Sequence, residues 1–224
     1  MKIFAIHGGP RKNKNTDKML DAFIAGAKST GEDVEVEKIN LFDLKFKGCM
    51  SCFACKLKNG VSYGKCSYDD ELKPILERIG LADGIVCATP IYFHDVSGQL
   101  RMFLERLFFQ YHSFKKNEKS IAVKPLQSCM IYTMNITQQQ MEKSGYRNNL
   151  KLTEQYFEYI FKHYPETIYA FNTLLFDDYS HHELSYWNLE EKKKYHQEQF
   201  PKDLNQAYQS GKRMVTKIRN GDNR

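Results

Sequence analysis

Lys2-Ile3-Phe4-Ala5-Ile6-His7-Gly8-Gly9-Pro10-Arg11-Lys12-Asn13-Lys14-Asn15-Thr16 begins as a short apolar run and breaks into a glycine-rich, basic turn. The run reads as a buried strand, and Gly8-Gly9-Pro10 as the turn that ends it. From Thr16 onward Met19, Leu20, Phe23, Ile24 and Ala27 recur at spacings of three and four, with Gly31 just beyond. That is the pattern of a helix with one buried face. Strand, turn and helix in this order form the first half of a β-α-β unit.

Working outward, residues 34–37 alternate apolar and charged, as in a strand at a sheet edge. Leu72, Ile75, Leu76 and Ile79 form a second helical stripe behind Asp69-Asp70, acids that suit a helix N-terminus. Residues 84–89 are a continuous apolar strand closed by Pro90. Ser97 then caps a helix with the stripe Leu100, Phe103, Leu104, Leu107 and Phe108. Residues 128–134 read as a fourth strand and 135–149 as a polar loop. A helix follows with Leu152, Tyr156, Tyr159, Ile160 and His163 inward. Residues 167–176 read as a fifth strand, and a last helix over 203–219 is expected to bury Leu204, Tyr208, Val215 and Ile218. Five strands alternating with helices predict one α/β domain over 1–224, a mainly parallel sheet covered on both faces. A cysteine-bearing loop at 46–68 and a charged, aromatic insertion at 177–200 interrupt the alternation.

The 224 residues, 42% hydrophobic and 27% charged, fit one soluble globular domain. No stretch approaches the roughly 18 apolar residues of a membrane span, and the opening run is too short for a secretory h-region. No membrane association and a cytoplasmic location are therefore expected. The net charge of +6 is spread along the chain without a nucleic-acid module, so a basic surface that attracts phosphate-bearing ligands accounts for it. Six cysteines without a secretory leader are expected to be reduced thiols or redox or metal ligands.

Open α/β sheets bind ligands beyond the carboxyl ends of their strands, where the strand order reverses, which directs attention to residues 7–16. Glycines there let backbone N–H groups approach an anion, and the next helix points its positive end at the same place. Arg11 adds a planar charged donor, while Asn15 and Thr16 add donors at the first helical turn. The turn fits neither G-x-G-x-x-G nor a Walker A loop. On these residues alone, an anion site and a simple capped turn stand as equal alternatives.

Two further segments extend the pattern. The turn Gly8-Gly9-Pro10-Arg11 with Asn15-Thr16 resembles the Gly-Ser-Pro-Arg-x-x-x-Asn-Thr phosphate loop of the flavodoxin-like NAD(P)H-dependent FMN reductases. Thr89-Pro90-Ile91-Tyr92-Phe93 resembles that family's Ser-Pro-Ile-Tyr-Trp/Phe segment, and Ser97 to Arg106 resembles its Ser-x-x-Leu-Lys-x-Phe-x-Asp-Arg helix. The resemblance implies a flavodoxin-like three-layer sandwich, a five-stranded parallel sheet in the order 2-1-3-4-5. It implies FMN held by Gly9, Arg11, Asn13, Asn15 and Thr16, with Pro90, Ile91, Tyr92 and Phe93 along its ring. NAD(P)H is then the hydride donor, and a quinone-like or other small acceptor takes the electrons in ping-pong exchange. Hydride transfer demands no side-chain acid or base, so no catalytic residue is assigned. A homodimer with flavin sites near its interface is also implied. Two departures stand out: Gly9 replaces the family's serine, and Thr133-Met134-Asn135 leads into glutamines where the family has a glycine-bearing loop.

Cys49, Cys52 and Cys55 follow a C-x2-C-x2-C spacing, and Cys66 comes after a ten-residue gap. This resembles the cysteine motif of the iron–sulfur flavoproteins and implies a [4Fe–4S] cluster near FMN and an electron-transfer role. Four thiolates suit a cluster or zinc, while a redox disulfide or plain packed thiols remain as alternatives. Cys87 and Cys129 read as small core residues. His7 is expected to orient the turn, and His181-His182 lacks partners at ligand spacing. Tyr179, Tyr186, Trp187, Tyr195 and Phe200 form an aromatic set suited to packing or to covering the flavin. A flavodoxin-like module without turnover is the third reading, and the positive charge counts against it.

Overall fold

The computed structural model describes residues 1–183 and 185–221; position 184 of the insertion and positions 222–224 of the expected domain lie outside the described residues. The strands are β1 (Lys2–His7), β2 (Glu35–Asn40), β3 (Gly84–Tyr92), β4 (Asp95–Val96), β5 (Gln127–Thr133) and β6 (Glu166–Ala170). The helices are α1 (Asn15–Lys28), α2 (Lys73–Ile79), α3 (Gly98–Tyr111), α4 (Gln138–Lys143), α5 (Tyr146–Phe161), α6 (Leu189–Glu198) and α7 (Phe200–Arg219).

Every residue of β1 after Lys2 is buried, as a central strand of a sheet covered on both faces must be. It pairs in parallel with β2 and with β3, β3 pairs with β5, and β5 with β6. The order β2-β1-β3-β5-β6 is the expected five-stranded flavodoxin-like sheet. The addition is β4, two residues that fold back antiparallel on the end of β3.

The two-residue period of each strand divides the core. Phe4, Ile6, Ile85 and Cys87 face α2, α3 and α5, whereas Ile3, Ala5, Val86, Ala88 and Cys129 face α1 and α7. Cys87 and Cys129 are fully buried on opposite faces, as core residues. The stripes foreseen for α2 and α3 are buried, except that Phe108 is only partly so. Asp70 Oδ1 accepts from the backbone N–H groups of Leu72 and Lys73, and Ser97 caps α3 through the Leu100 N–H.

Four expectations need correction. The stretch 135–149 is not all loop: Thr137 and Gln140 form a capping box that starts α4, and α5 already begins at Tyr146. Leu152 and Tyr156 of α5 are 59% and 55% exposed; Ile160 and His163 are buried as expected, and the inward face also carries Leu150, Thr153, Glu154, Phe157 and Phe161. The cause is a buried polar network: Glu154, fully buried, accepts from Arg147 at 2.6 and 2.8 Å, from the Tyr132 hydroxyl at 3.2 Å and from the Tyr164 hydroxyl. Apolar periodicity is blind to such a residue. The fifth parallel strand ends at Ala170, because the chain then turns across the ends of the sheet, with the N–H groups of Asn172 and Thr173 donating to Ile136 and Met134 carbonyls.

The last helix buries Val215 as expected, but its inward face is otherwise Ala207, Ser210, Gly211 and Met214, with Leu204, Tyr208 and Ile218 only partly buried. Backbone contact explains it. A Cβ on Gly211 would lie 2.1 Å from the Phe23 carbonyl oxygen, and one on Gly26 would lie 1.9 Å from that of Tyr208. Helices α1 and α7 cross with main chain against main chain, which only glycine permits. Gly211→Ala is therefore expected to destabilise the fold by about 1–3 kcal/mol, the usual cost of overpacking. Gly98→Ala, whose Cβ meets nothing within 4 Å, is the neutral control; urea midpoints check both.

Candidate functional site

Three backbone segments meet at the carboxyl ends of β1 and β3. The Gly8 N–H donates to the Ala88 carbonyl at 2.8 Å, and the Ser97 hydroxyl donates to the Gly8 carbonyl. The Ser97 N–H donates to Thr89 Oγ1 at 3.1 Å. A Cβ at Gly8 would lie 2.9 Å from that of Leu100, so the junction closes only around glycine. From the other side the Thr16 and Thr133 hydroxyls bond at 2.6 Å and tie the start of α1 to the end of β5.

The junction borders a cavity of about 150 Å³, at the point where the strand order reverses. Gly9, Arg11, Asn15, Thr16, Pro90, Ile91 and Tyr92 line it, together with Pro10, Lys14, Thr133, Met134, Asn135, Thr173 and Leu175. Asn13 and Phe93 are not in the lining. The Asn13 N–H is held by Asp17 Oδ2 at 2.7 Å, and its φ of 59° places it in the left-handed region. Phe93 is 97% exposed on the turn into β4, where it and His94 have φ values of 47° and 71°. The helix end facing the cavity has no side-chain cap, so its first N–H groups are left to a ligand or water. A Cβ at Gly9 would lie 3.1 Å from His7 Nε2 and 3.4 Å from Pro90 Cδ, which leaves little space for the family's serine. Burial pushes His7 down, more than neighbouring Asp17 raises it, so it is neutral at pH 7 beneath the turn.

The chain that follows Ala170 lies over the basic side chains. Asn15 donates to the Leu174 carbonyl at 2.6 Å, Arg11 donates to that of Leu175, and Lys14 pairs with Asp177. The Leu175 N–H donates to the Tyr179 hydroxyl at 2.7 Å, so one member of the aromatic set does pin the covering segment. Residues 173–177 thus form a strap along the anion end.

A second recess gathers all four cysteines of the loop. Cys49, Cys52, Cys55 and Cys66 line it beside Arg106 and Gln110, and all are free thiols. Among the described residues no group of three or more metal-ligating side chains stands in ligand geometry. Backbone donation from Ala54, then the Ser67 hydroxyl, draws the Cys52 thiol below its ordinary value, whereas burial pushes Cys55 up. Arg106, 1% exposed, organises the loop. It donates to Cys66 Sγ at 3.4 Å, to the Lys47 and Tyr68 carbonyls at 3.2 Å, and to Asp70. Next to this recess, Phe108, Phe109, Leu152, Tyr156 and Tyr159 line a wide groove between α3 and α5.

The family described as NADPH-dependent FMN reductase matches residues 1–141. An iron–sulfur flavoprotein of Methanocaldococcus jannaschii is 37% identical over 107 residues, 47% of this chain and 51% of that protein. One from Archaeoglobus fulgidus is 38% identical over 106 residues, 47% and 48% of the two chains. The chain thus spans about half the length of the curated relatives it matches. An NAD(P)H:quinone oxidoreductase from Methanothermobacter marburgensis shares the fold with a TM-score of 0.69 at 16% identity, over 95% of this chain and 98% of that one. An FMN-dependent NADH-azoreductase from Bacillus anthracis, in complex with FMN, gives 0.62 at 13% identity, over 96% and 100%.

Arg106 and Asp70 yield a prediction that needs no ligand. Burial alone would raise the Asp70 carboxyl, but the Arg106 guanidinium and the N–H groups of Lys47 and Lys73 outweigh it and hold it below its ordinary value. A carboxyl lower in the folded than in the unfolded state stabilises above its unfolded pKa, and that gain fades as pH falls through the folded value. Asp70→Asn is expected to cost about 3–5 kcal/mol at pH 7, because it strands a buried guanidinium. The gap from wild type should narrow below roughly pH 4, as read from urea unfolding across pH.

Proposed function

The chain belongs to the NADPH-dependent FMN reductase family, and on that premise we propose an FMN-containing oxidoreductase that takes electrons from NAD(P)H and passes them to a quinone-like or other small acceptor. The observation that carries this reading is the cavity at the β1/β3 reversal, with anion donors at one end and Pro90, Ile91 and Tyr92 along one side. Its chemistry fits the cofactor. The uncapped start of α1, Gly9, Arg11, Asn15 and Thr16 suit a phosphate, and Asn135 Oδ1, buried and without a partner, lines the same cavity as a free acceptor.

Bound FMN would supply the hydride and electron chemistry; the protein's contribution is binding, orientation and electrostatics. Arg11 and Lys14 would exchange the Leu175 carbonyl and Asp177 for phosphate oxygens, so the strap holds their place until the ligand arrives. Tyr92, 45% exposed, would flank the ring, and the backbone of residues 90–92 would meet its edge. Asn13 acts behind the loop through its bond to Asp17, and Phe93 stands outside the cavity wall. The exposed aromatic groove between α3 and α5 supports the homodimer. Cytoplasmic residence belongs to the same reading, since all six cysteines are free thiols. Among the described residues no helix is long and apolar enough to cross a membrane.

One observation favours a second reading, an iron–sulfur flavoprotein acting in electron transfer. All four loop cysteines face one recess, and the relatives named above are iron–sulfur flavoproteins. Four thiolates are the donor set of a [4Fe–4S] cluster. The recess is about 20 Å³, so seating a cluster requires the loop to open around Arg106.

Purified protein titrated with FMN should quench flavin fluorescence and then oxidise NAD(P)H when a quinone is supplied. Absence of FMN binding would overturn the proposal. Arg11→Ala removes a charged hydrogen-bond donor worth about 1.5–3 kcal/mol, so FMN should bind roughly ten- to a hundredfold more weakly. Anaerobic purification separates the two readings: a broad visible shoulder that bleaches on reduction, with about four irons per chain, supports the cluster. Flavin bands alone support the first reading.

A further inference from the structure

Lys192 lies in the insertion, outside the stretch that matches the family, yet it reaches the cavity wall. Its side chain is 2% exposed. The ammonium donates to the Asn135 carbonyl at 3.0 Å, to Asn172 Oδ1 at 2.7 Å and to the Thr173 carbonyl at 3.5 Å. Asn135 and Thr173 both line the cavity. Lys192 therefore pins two segments that line the cavity together with residues 90–92, where the family's glycine-bearing loop is missing. The backbone bond from the Thr173 N–H to the Met134 carbonyl at 3.0 Å runs along the same seam.

A neutral hydrogen-bonding side chain would serve as a pin at lower cost, because an ammonium taken out of water without a counter-charge is expensive. Burial is the sole cause acting on Lys192, with no described carboxylate opposing it, and brings it down to about 8. At pH 7 it is still mostly protonated. The cavity wall thus carries a fixed positive charge that no anion among the described residues neutralises.

We propose that Lys192 is a positioning residue for the flavin site: it clamps residues 134–135 to 172–173, and its charge favours reduced over oxidised FMN. The inference rests on the FMN reading above. Reduction by NAD(P)H or dithionite adds two electrons and one proton to the flavin, leaving one added negative charge on the ring system. A cation fixed at the wall stabilises that added charge and leaves the oxidised ring unaffected to first order.

The test uses full-length protein loaded with FMN. Lys192→Met removes both charge and hydrogen bonds, whereas Lys192→Gln retains a donor for the wall. The midpoint potential is measured by dye equilibration, and oxidised-FMN affinity by fluorescence quenching. In Lys192→Gln, reduced FMN is expected to lose about tenfold in binding relative to oxidised FMN, which is about 30 mV more negative for a two-electron couple. Lys192→Met should show that shift and weaker oxidised-FMN binding as well. An unchanged potential in both variants overturns the proposal, whether or not affinity falls, and leaves Lys192 a structural pin. Failure of the wild type to bind FMN sinks the functional reading itself and is recognised before any variant is compared.

Discussion

Gly8 is the residue on which the arrangement turns. Its N–H is spent on the end of β3 and its carbonyl on the cap of α3, so one residue fastens three segments far apart in sequence. Nothing larger fits, because Leu100, Ala88 and Ser97 all close on the point where a Cβ would stand. The donors near it depend on that closure: Gly9, Arg11 and the start of α1 take their positions from a turn that cannot shift without breaking the strand edge or the helix cap. A rigid anion end results. The opposite wall is built differently, from loop backbone, a strap and one buried lysine.

The helix α3 carries this rigidity further. Its first turn locks the cavity through Ser97, and Arg106 on a later turn gathers the cysteine loop through Asp70, Cys66 and two carbonyls. Both recesses are therefore indexed to a single helix. Any displacement of α3 is felt at both, whatever group each one holds.

What was legible in the sequence follows from the kind of force involved. The strand–turn–helix at 2–28, the stripe over 72–79 and the Ser97 cap were readable because local periodicity and capping chemistry determine them. The inward face of α5 was not, because Glu154 is buried by partners on β5 and at positions 147 and 164 that no local pattern announces. The α7 face was missed for the opposite reason, since its defining residue, Gly211, has no side chain to count. In the candidate site, the loop 9–16 and residues 90–92 were identified from motif order. Met134 and Asn135 were marked only as a departure from the family's loop, and Thr173 and Leu175 were not seen, because they reach the cavity only through the path the chain takes after Ala170. Asn13 and Phe93 belong to the motifs by position yet stand away from the cavity, one held by a helix-end carboxylate and the other on a left-handed turn.

The crossing of α1 and α7 has a kinetic consequence. Gly26 and Gly211 meet from distant parts of the chain, and the contact tolerates no approximate docking. Contacts of such sequence separation cost loop-closure entropy before they reward it, which slows folding. Until α7 seats, Met19, Leu20 and Phe23 have an unfinished neighbour on one side of the sheet, and the loop at the head of α1 rests on a helix not yet clamped. The geometry of the anion end is thus coupled, through α1, to a helix drawn from a distant part of the sequence.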